Sequence, residues 1–435
     1  MEPEQLSSLR INGARLMQTM TQMGAIGALA DGGVNRLAFT PADREARQLV
    51  QRWMVDAGMA VTIDTAGNII GRYLGHDALA PALATGSHLD TVPNAGIYDG
   101  TYGVLAGLEV VHTLSEHNRR LDHSIEVIVF ADEERTMIGS KAIAGKASTD
   151  PEIYQHPHHG SMQQSLQAIG GDWSQLGLAK RDPGSLAAFV ELHVEQGPVL
   201  EATGCDIGLV TGIVGQRRYL ITIEGSPSHA GTTPMDMRQD ALVAAAQITL
   251  AVNQLGVDST LPQGGDQVAT VGAMALSPNV GNTIPGQVEL TVDLRDLSND
   301  CLDAMVSRLA QTVGAIAAAT RTRISLKPQL QNDPVPVSSH IYNTVAQVCQ
   351  HLRLSARQLP SRASHDAQNI ASVTDMGMIF VPSQGGISHA ETEYTTAEHC
   401  IQGANVLLHT LLKLDQHYRC PHIPHKRNKT QPTVP

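Results

Sequence analysis

Apolar and polar positions along this chain change period several times. Residues 4–29 and 41–58 repeat at helical spacing, and Thr40 followed by Pro41 reads as an N-cap with proline at the first helical position. Short β-rich runs follow at 60–63, 68–74, 82–87 and 125–131, and a helix over about 100–117 separates the last two. This alternation predicts a parallel or mixed sheet with covering helices. Residues 155–186 are polar, rich in His and Gln, and weakly periodic; helices and loops over one sheet edge are expected there.

The pattern changes after Gly212. Residues 217–224 (RRYLITIE) alternate as a strand, and a helix opened by Pro234 is expected over 234–255. Strands at 267–275 and 287–293, an Ala-rich helix at 299–319 and a strand at 322–328 follow. The order β-α-β-β-α-β predicts a ferredoxin-like unit with an antiparallel sheet, inserted as residues 213–329. The chain then returns through QNDPVPVSS to a helix, a strand at 377–381, a loop carrying His389 and a closing helix near 396–414. The expected fold is α/β: a discontinuous catalytic domain (1–212 and 330–420), the insert, and a polar, basic tail at 421–435.

At 435 residues the chain exceeds one ordinary core, which favours two domains. Its 42% apolar and 17% charged content is that of a folded protein, and its net charge of −12 argues against a nucleic-acid partner. The five cysteines are scattered and follow no motif, so reduced thiols in a cytoplasmic protein are expected. The amino terminus lacks an apolar signal region, and no run of about 18 apolar residues predicts a membrane span.

Five potential metal ligands, His88, Asp99, Glu134, His193 and His389, stand where apolar strand-like runs give way to Gly-rich or polar turns. The segments are TGSHLDTVPNAGIYDG (85–100), VIVFADEERT (127–136), FVELHVEQGP (189–198) and PSQGGISHAET (382–392). Open α/β sheets deliver side chains into a crevice at such strand ends. Carboxylates mixed with imidazoles suit Zn²⁺, Mn²⁺, Co²⁺ or Ni²⁺, and the lack of cysteine in these segments argues against a closed structural zinc site. Two-metal hydrolysis needs an anionic ligand bridging ions about 3.5–4 Å apart. Asp99 is the best candidate, because Gly96, Gly100 and Gly103 permit a tight turn around it. Asp90 is placed to accept the proton on the other imidazole nitrogen of His88. Of the adjacent acidic pair, Glu134 is assigned to metal and Glu133 to proton transfer, from the attacking water to the departing nitrogen.

The pieces GSHLDTVPNAGIYDG, DEE, HVEQGPVLE, GQRRY, HAGTTPMDMRQDA, PNVGNTIPG, DLRD, SHDA and GGISHAETEYT, spread over residues 86–395, together resemble the M20 metallopeptidase superfamily. More closely they resemble its amidohydrolase (hydantoinase/carbamoylase) branch of N-carbamoyl-L-amino-acid hydrolases, allantoate and ureidoglycolate amidohydrolases and β-ureidopropionases. The resemblance implies two divalent ions per subunit, one held by Asp99, Glu134 and His389, the other by Asp99, His88 and His193. It implies that Gln196 contacts the amide or ureido group, and that Asn282 and Arg295 hold a substrate carboxylate. The Gly385–Gly386 backbone would close the site. His229 would reach the scissile carbonyl of a partner subunit, with the insert serving as lid and homodimer surface.

The chain departs from that pattern at Arg135-Thr136-Met137-Ile138, at Ser364 and at Ala390-Glu391, which bears on the substrate more than on the chemistry. The expected activity is metal-dependent hydrolysis of a linear ureido or amide C–N bond in a small carboxylated substrate. An N-carbamoyl-L-amino acid or allantoate is favoured, with release of ammonia and CO₂. An aminoacylase or dipeptidase, and a metal-dependent binding protein without catalysis, are the alternatives. Among single residues, Arg295 could pair with Asp293 or Asp296 as a salt bridge, and Glu133 could be a solvated neighbour of Glu134. His229 could serve an interface, as could Arg217 and Arg218. His365–Asp366 reads as a helix cap with Ser364 as N-cap.

Overall fold

A computed structural model describes residues 9–30, 32–154, 160–262 and 267–419. The chain first lays down β1 (Ala60–Ile63), β2 (Ile69–Tyr73), β3 (Ala82–His88), β4 (Ile125–Phe130), β5 (Leu186–Val194) and β6 (Ile207–Ile213). It continues through β7 (Gly215–Glu224), β8 (Ser228–His229), β9 (Val268–Ser277), β10 (Thr283–Ile284), β11 (Gln287–Asp296) and β12 (Arg323–Asn332). It closes with β13 (Val335–Pro336), β14 (Ala356–Ser361) and β15 (Met376–Val381). The result is a mixed α/β protein. One nine-stranded sheet runs β1-β2-β4-β3-β5-β15-β6-β13, with β14 paired to β6. A four-stranded antiparallel sheet runs β12-β7-β11-β9.

Within the large sheet, β4, β3, β5 and β15 are adjacent and mutually parallel, so their carboxyl ends share one edge. Parallel strands covered on both faces need apolar side chains throughout. Every residue of β4 and β15 is buried accordingly.

The helix Thr101–Glu116 packs on these strands and is buried along nearly its whole length. Two glycines allow the close approach. A Cβ on Gly103 would stand 2.3 Å from the Leu192 carbonyl oxygen, and one on Gly107 would stand 2.9 Å from Thr85 Cγ2. Asp99, just before this helix, is thereby held against the ends of β3 and β5. The helix's buried Glu109 accepts from Arg15 Nε at 2.6 Å and from the Asn12 N–H at 2.9 Å, which ties the helix Gly13–Gly24 to it. Thr40 caps the helix Pro41–Asp56 by accepting the Asp43 N–H at 3.2 Å.

The small sheet has its own core. Every second residue of β11 from Val288 to Asp296 is buried, and Val288, Leu290, Val292 and Leu294 pack with apolar residues of the helices Ala241–Leu255 and Asn299–Thr320.

Several boundaries differ from the sequence reading. The helix expected to open at Pro234 opens at Ala241, because the Asp240 carboxylate accepts the Leu242 and Val243 N–H groups, while Met235–Met237 form a separate 3₁₀ turn. Strand β12 runs past residue 330 to Asn332, since its pairing with β7 continues beyond a bulge after Pro328. Of the helix expected over 4–29, residues 4–8 lie outside the described residues, and within the rest the helix spans Gly13–Gly24 with Asn12 as its cap. The tail expected at 421–435 lies outside the described residues. No helix among the described residues is long and apolar enough to cross a membrane.

Candidate active site

Four strand ends and one helix start deliver the acidic and imidazole groups. His88 ends β3, Glu133 and Glu134 follow β4, His193 lies near the end of β5, and His389 lies in the loop after β15. Asp99 stands at the centre. Its Oδ1 is 3.1 Å from His193 Nε2 and 3.7 Å from His88 Nε2, and its Oδ2 is 3.1 Å from His389 Nε2. Glu134 Oε2 is 3.6 Å from His389 Nε2, and Glu133 Oε2 is 3.6 Å from His88 Nε2. Two groups of residues can each hold a metal ion: His88, Asp99 and His193, and Asp99, Glu134 and His389. Asp99 belongs to both. A third group, Glu191, His193 and His365, is also close enough, but Glu191 is already engaged by Ser87 Oγ at 2.7 Å and the Ala367 N–H at 3.0 Å.

The donor chemistry fits cations. Nδ1 of His88 lies 2.9 Å from the Asp90 carbonyl oxygen, and Nδ1 of His193 lies 2.9 Å from the Val194 carbonyl oxygen. A carbonyl only accepts, so each Nδ1 carries a proton, and in its neutral, metal-binding form each ring turns a lone pair outward on Nε2. Burial favours that form, but the facing carboxylates outweigh it and raise the proton affinity of both rings. The Gly100 N–H donates to that lone pair on His193 at 3.2 Å. Lone pairs facing carboxylate oxygens at these distances repel unless a proton or a cation lies between them. Glu134 Oε1 is buried without a hydrogen-bond partner, a further acceptor lacking positive charge.

Asp90 acts differently from the sequence reading. Its main-chain carbonyl, not its carboxylate, takes the His88 proton. The buried carboxylate instead accepts the N–H groups of Glu133 at 3.4 Å and Glu134 at 3.2 Å, which holds the turn bearing the acidic pair.

Protonation reflects this crowding. Burial raises Glu133 well above the usual carboxylate range, and Asp366, Glu134 and Asp90 push the same way against His88. Burial and then Asp99 push Glu134 up to about 7. Burial also pushes Asp99 up, but hydrogen bonds from His193, His389 and His88 outweigh it and hold Asp99 well below the usual range. The bond to Asp99 lifts His389 to about 9. Without divalent charge, the cluster holds protons where ligands need none.

These groups form the floor of a cavity of about 410 Å³. One wall is Arg135, Met137 and Lys141, from the turn after the acidic pair; another is Gln216, Arg218, Arg295 and Asn332, from the small sheet. Gln196, at φ 58°, donates through Nε2 to Asp99 Oδ2 at 2.8 Å and to Ser388 Oγ at 3.2 Å. Arg295 lines the cavity and also bonds Asp293 at 2.8 Å, so its salt bridge and its place in the site coexist. His365 is itself the N-cap of the helix Asp366–Ile370, displacing Ser364 from that role, and its ring packs edge-on against His193 at 4.5 Å. Arg217 is absent from the lining and bonds Asp333 and Asn299.

His229, Asn282 and Gly386 do not line this cavity. His229 and Asn282 are exposed on one unit, in which β8 pairs with β10 and the Ala230 N–H donates to the Asn282 carbonyl at 2.9 Å. Sequence reasoning missed Glu393. Its Oε1 accepts the Tyr98 and Asp99 N–H groups at 2.9 and 3.0 Å, and its Oε2 accepts from Ser388 Oγ at 3.1 Å. It thus locks the Asp99 turn to the His389 loop. Its only signal was its place in ETEYT, four residues beyond His389.

The sequence model of Peptidase family M20/M25/M40 matches residues 84–413, three-quarters of the chain, including all six acidic and imidazole groups of the cluster. The chain belongs to this family. An N-carbamoyl-L-amino acid amidohydrolase from Geobacillus stearothermophilus is 40% identical over 93% of this chain and 99% of its own length. An allantoate amidohydrolase from Bacillus subtilis is 35% identical over 89% and 94%. The crystal structure of a hydantoinase/carbamoylase-family amidase from Burkholderia multivorans, 38% identical, superposes with a TM-score of 0.87 over 94% of this chain and 99% of that one. This M20 chain is thus a hydrolase whose curated relatives are amidohydrolases, and its cavity stands where four parallel strands of the M20 fold end together.

Proposed function

We propose that this M20 hydrolase cleaves the linear ureido or amide C–N bond of a small carboxylated substrate, an N-carbamoyl-L-amino acid or allantoate, releasing ammonia and CO₂. One observation carries the reading: Asp99 is shared by two ligand groups while Glu133, buried beside them, belongs to neither. His88 and His193 with Asp99 would hold one divalent ion, and Glu134 and His389 with Asp99 would hold a second; zinc, manganese, cobalt or nickel would suit this donor set. When bound, such a pair supplies Lewis acidity that ionises a water and polarises the scissile carbonyl.

The chain's own groups do the rest. Glu133 takes a proton from the attacking water and passes it to the departing nitrogen, which its raised proton affinity favours. Gln196 orients the ureido group from the Asp99 side. Arg295, with Asn282, receives the substrate carboxylate when the walls close. Residues 213–329 act as an inserted ferredoxin-like lid through which two copies pair. In that pairing the exposed His229 would donate to the oxyanion in the other copy.

The test is hydrolysis by protein reconstituted with each metal, read as ammonia from allantoate, ureidoglycolate and N-carbamoyl amino acids and as newly freed α-amine from N-acyl amino acids and dipeptides. Turnover confined to the ureido compounds supports the reading. Turnover of only acyl or peptide bonds, or full activity after exhaustive chelation, overturns it.

A further inference from the structure

Lys141 lies on the short helix Ile138–Ile143 and lines the active-site cavity, on the same wall as Arg135 and Met137. Its side chain is half-buried, and its ammonium donates to the Thr136 carbonyl at 2.7 Å. Among the described residues no carboxylate lies within 4.0 Å of it, and no other acceptor is bonded to its two remaining N–H groups. Burial lowers its proton affinity, against the pull of Asp132, Glu133 and Asp366 farther off. A partly desolvated ammonium is costly without an anion in contact, and one carbonyl satisfies a third of its donors.

The small-sheet wall has a similar surplus. Arg218 and Arg295 both bond Asp293, at 2.9 and 2.8 Å, so two guanidinium groups share one carboxylate. One net positive charge there awaits the carboxylate already expected at Arg295. A substrate with a single carboxylate would satisfy that wall and leave Lys141 unmatched.

We propose that Lys141 forms a second anion subsite, and that the preferred substrates are N-carbamoyl derivatives of acidic amino acids. The α-carboxylate meets Arg295 and the side-chain carboxylate meets Lys141. This rests on the amidohydrolase reading above and narrows its substrate class. A purely structural lysine, offsetting Glu133 and Asp366, would affect all substrates alike; a subsite changes their ratio.

The experiment compares N-carbamoyl-L-glutamate with its near-isosteric neutral counterpart, N-carbamoyl-L-glutamine, on metal-loaded wild type, Lys141→Met and Lys141→Arg. Wild type should favour the glutamate compound about tenfold or more in kcat/KM, the scale of one charge-assisted hydrogen bond. That ratio should collapse in Lys141→Met and persist in Lys141→Arg. Equal rates in wild type overturn the proposal even if neither variant folds, as does a preference that survives Lys141→Met. Hydrolysis of the glutamine compound alone retains the amidohydrolase reading and discards the subsite. Hydrolysis of neither, with turnover of other ureido compounds, likewise discards only the subsite. Failure on every ureido compound discards both.

Discussion

Arg36 Nη2 donates to Thr101 Oγ1 at 2.8 Å, joining residues 65 positions apart on either side of the Asp99 turn and the His88 strand end. The same guanidinium donates to the carbonyls of Leu89, Met23 and Ile26 at 2.7, 3.0 and 3.0 Å. It is fully buried, and these four hydrogen bonds all go to neutral acceptors. It braces the residue after His88 against the first turn of the helix that follows Asp99.

Arg36→Met should therefore orphan the buried Leu89 and Ile26 carbonyls and the Thr101 hydroxyl, while the Met23 carbonyl keeps the Ile26 N–H at 3.1 Å. At roughly 1 kcal/mol each, stability should fall by about 3 kcal/mol or more, read as a lower urea midpoint with little change in slope. Arg36→Lys should not restore it, because a lysine cannot reproduce the planar fork. A midpoint unchanged in Arg36→Met would show that the brace carries no stability.

Gly100 is a second pressure point. It adopts φ 62°, and a Cβ there would stand 2.3 Å from His88 Nε2. Gly100→Ala should cost about 1–2 kcal/mol in backbone strain and displace the ring. Metal content by elemental analysis should drop well below wild type while far-UV circular dichroism stays the same.

The proposed role of Glu133 would separate catalysis from metal binding. Glu133→Gln should lower kcat by about 10²–10⁴-fold, the usual scale for losing a general acid–base group, with metal content near wild type. Normal turnover in this variant would refute the proton-transfer role.

A pH effect remote from the active-site cluster is expected at His409, on the helix Ala397–His417. Its Nε2 lies 3.0 Å from the Leu9 carbonyl oxygen, and burial lowers its pKa to about 4. The neutral ring is the form the fold accepts, so its contribution is fully present above about pH 6.5 and is lost as pH falls towards 4. His409→Gln should flatten the fall in melting temperature over that window. An identical pH profile in both proteins would exclude the ring as its source.

Local chemistry made much of the site legible. His88, Glu134, His193 and His389 could be singled out among 19 histidines and 42 acidic residues because each follows an apolar run that ends in a turn. Asp99 stood out for its glycines, one of which proves sterically necessary beside His88. The errors were equally physical. Asp90 was paired with His88 by spacing, yet a backbone carbonyl two residues on serves a ring as well as a carboxylate does. Pro234 is a sound helix opener, but the Asp240 carboxylate reached two free N–H groups and set the start there.

Periodicity and turn residues are properties of neighbours along the chain, so the sequence alone determined the alternation of strands and helices, the ligand types and the acidic pair. Convergence is different in kind. It depends on β4, β3, β5 and β15 lying side by side in parallel, and on Gly103 and Gly107 letting one helix press Asp99 against two strand ends. Only the tertiary structure decided those contacts, along with the bracing by Glu393 and Arg36 and the unmatched charge of Lys141. Each couples residues whose meeting is set by packing across the core, which no local pattern encodes.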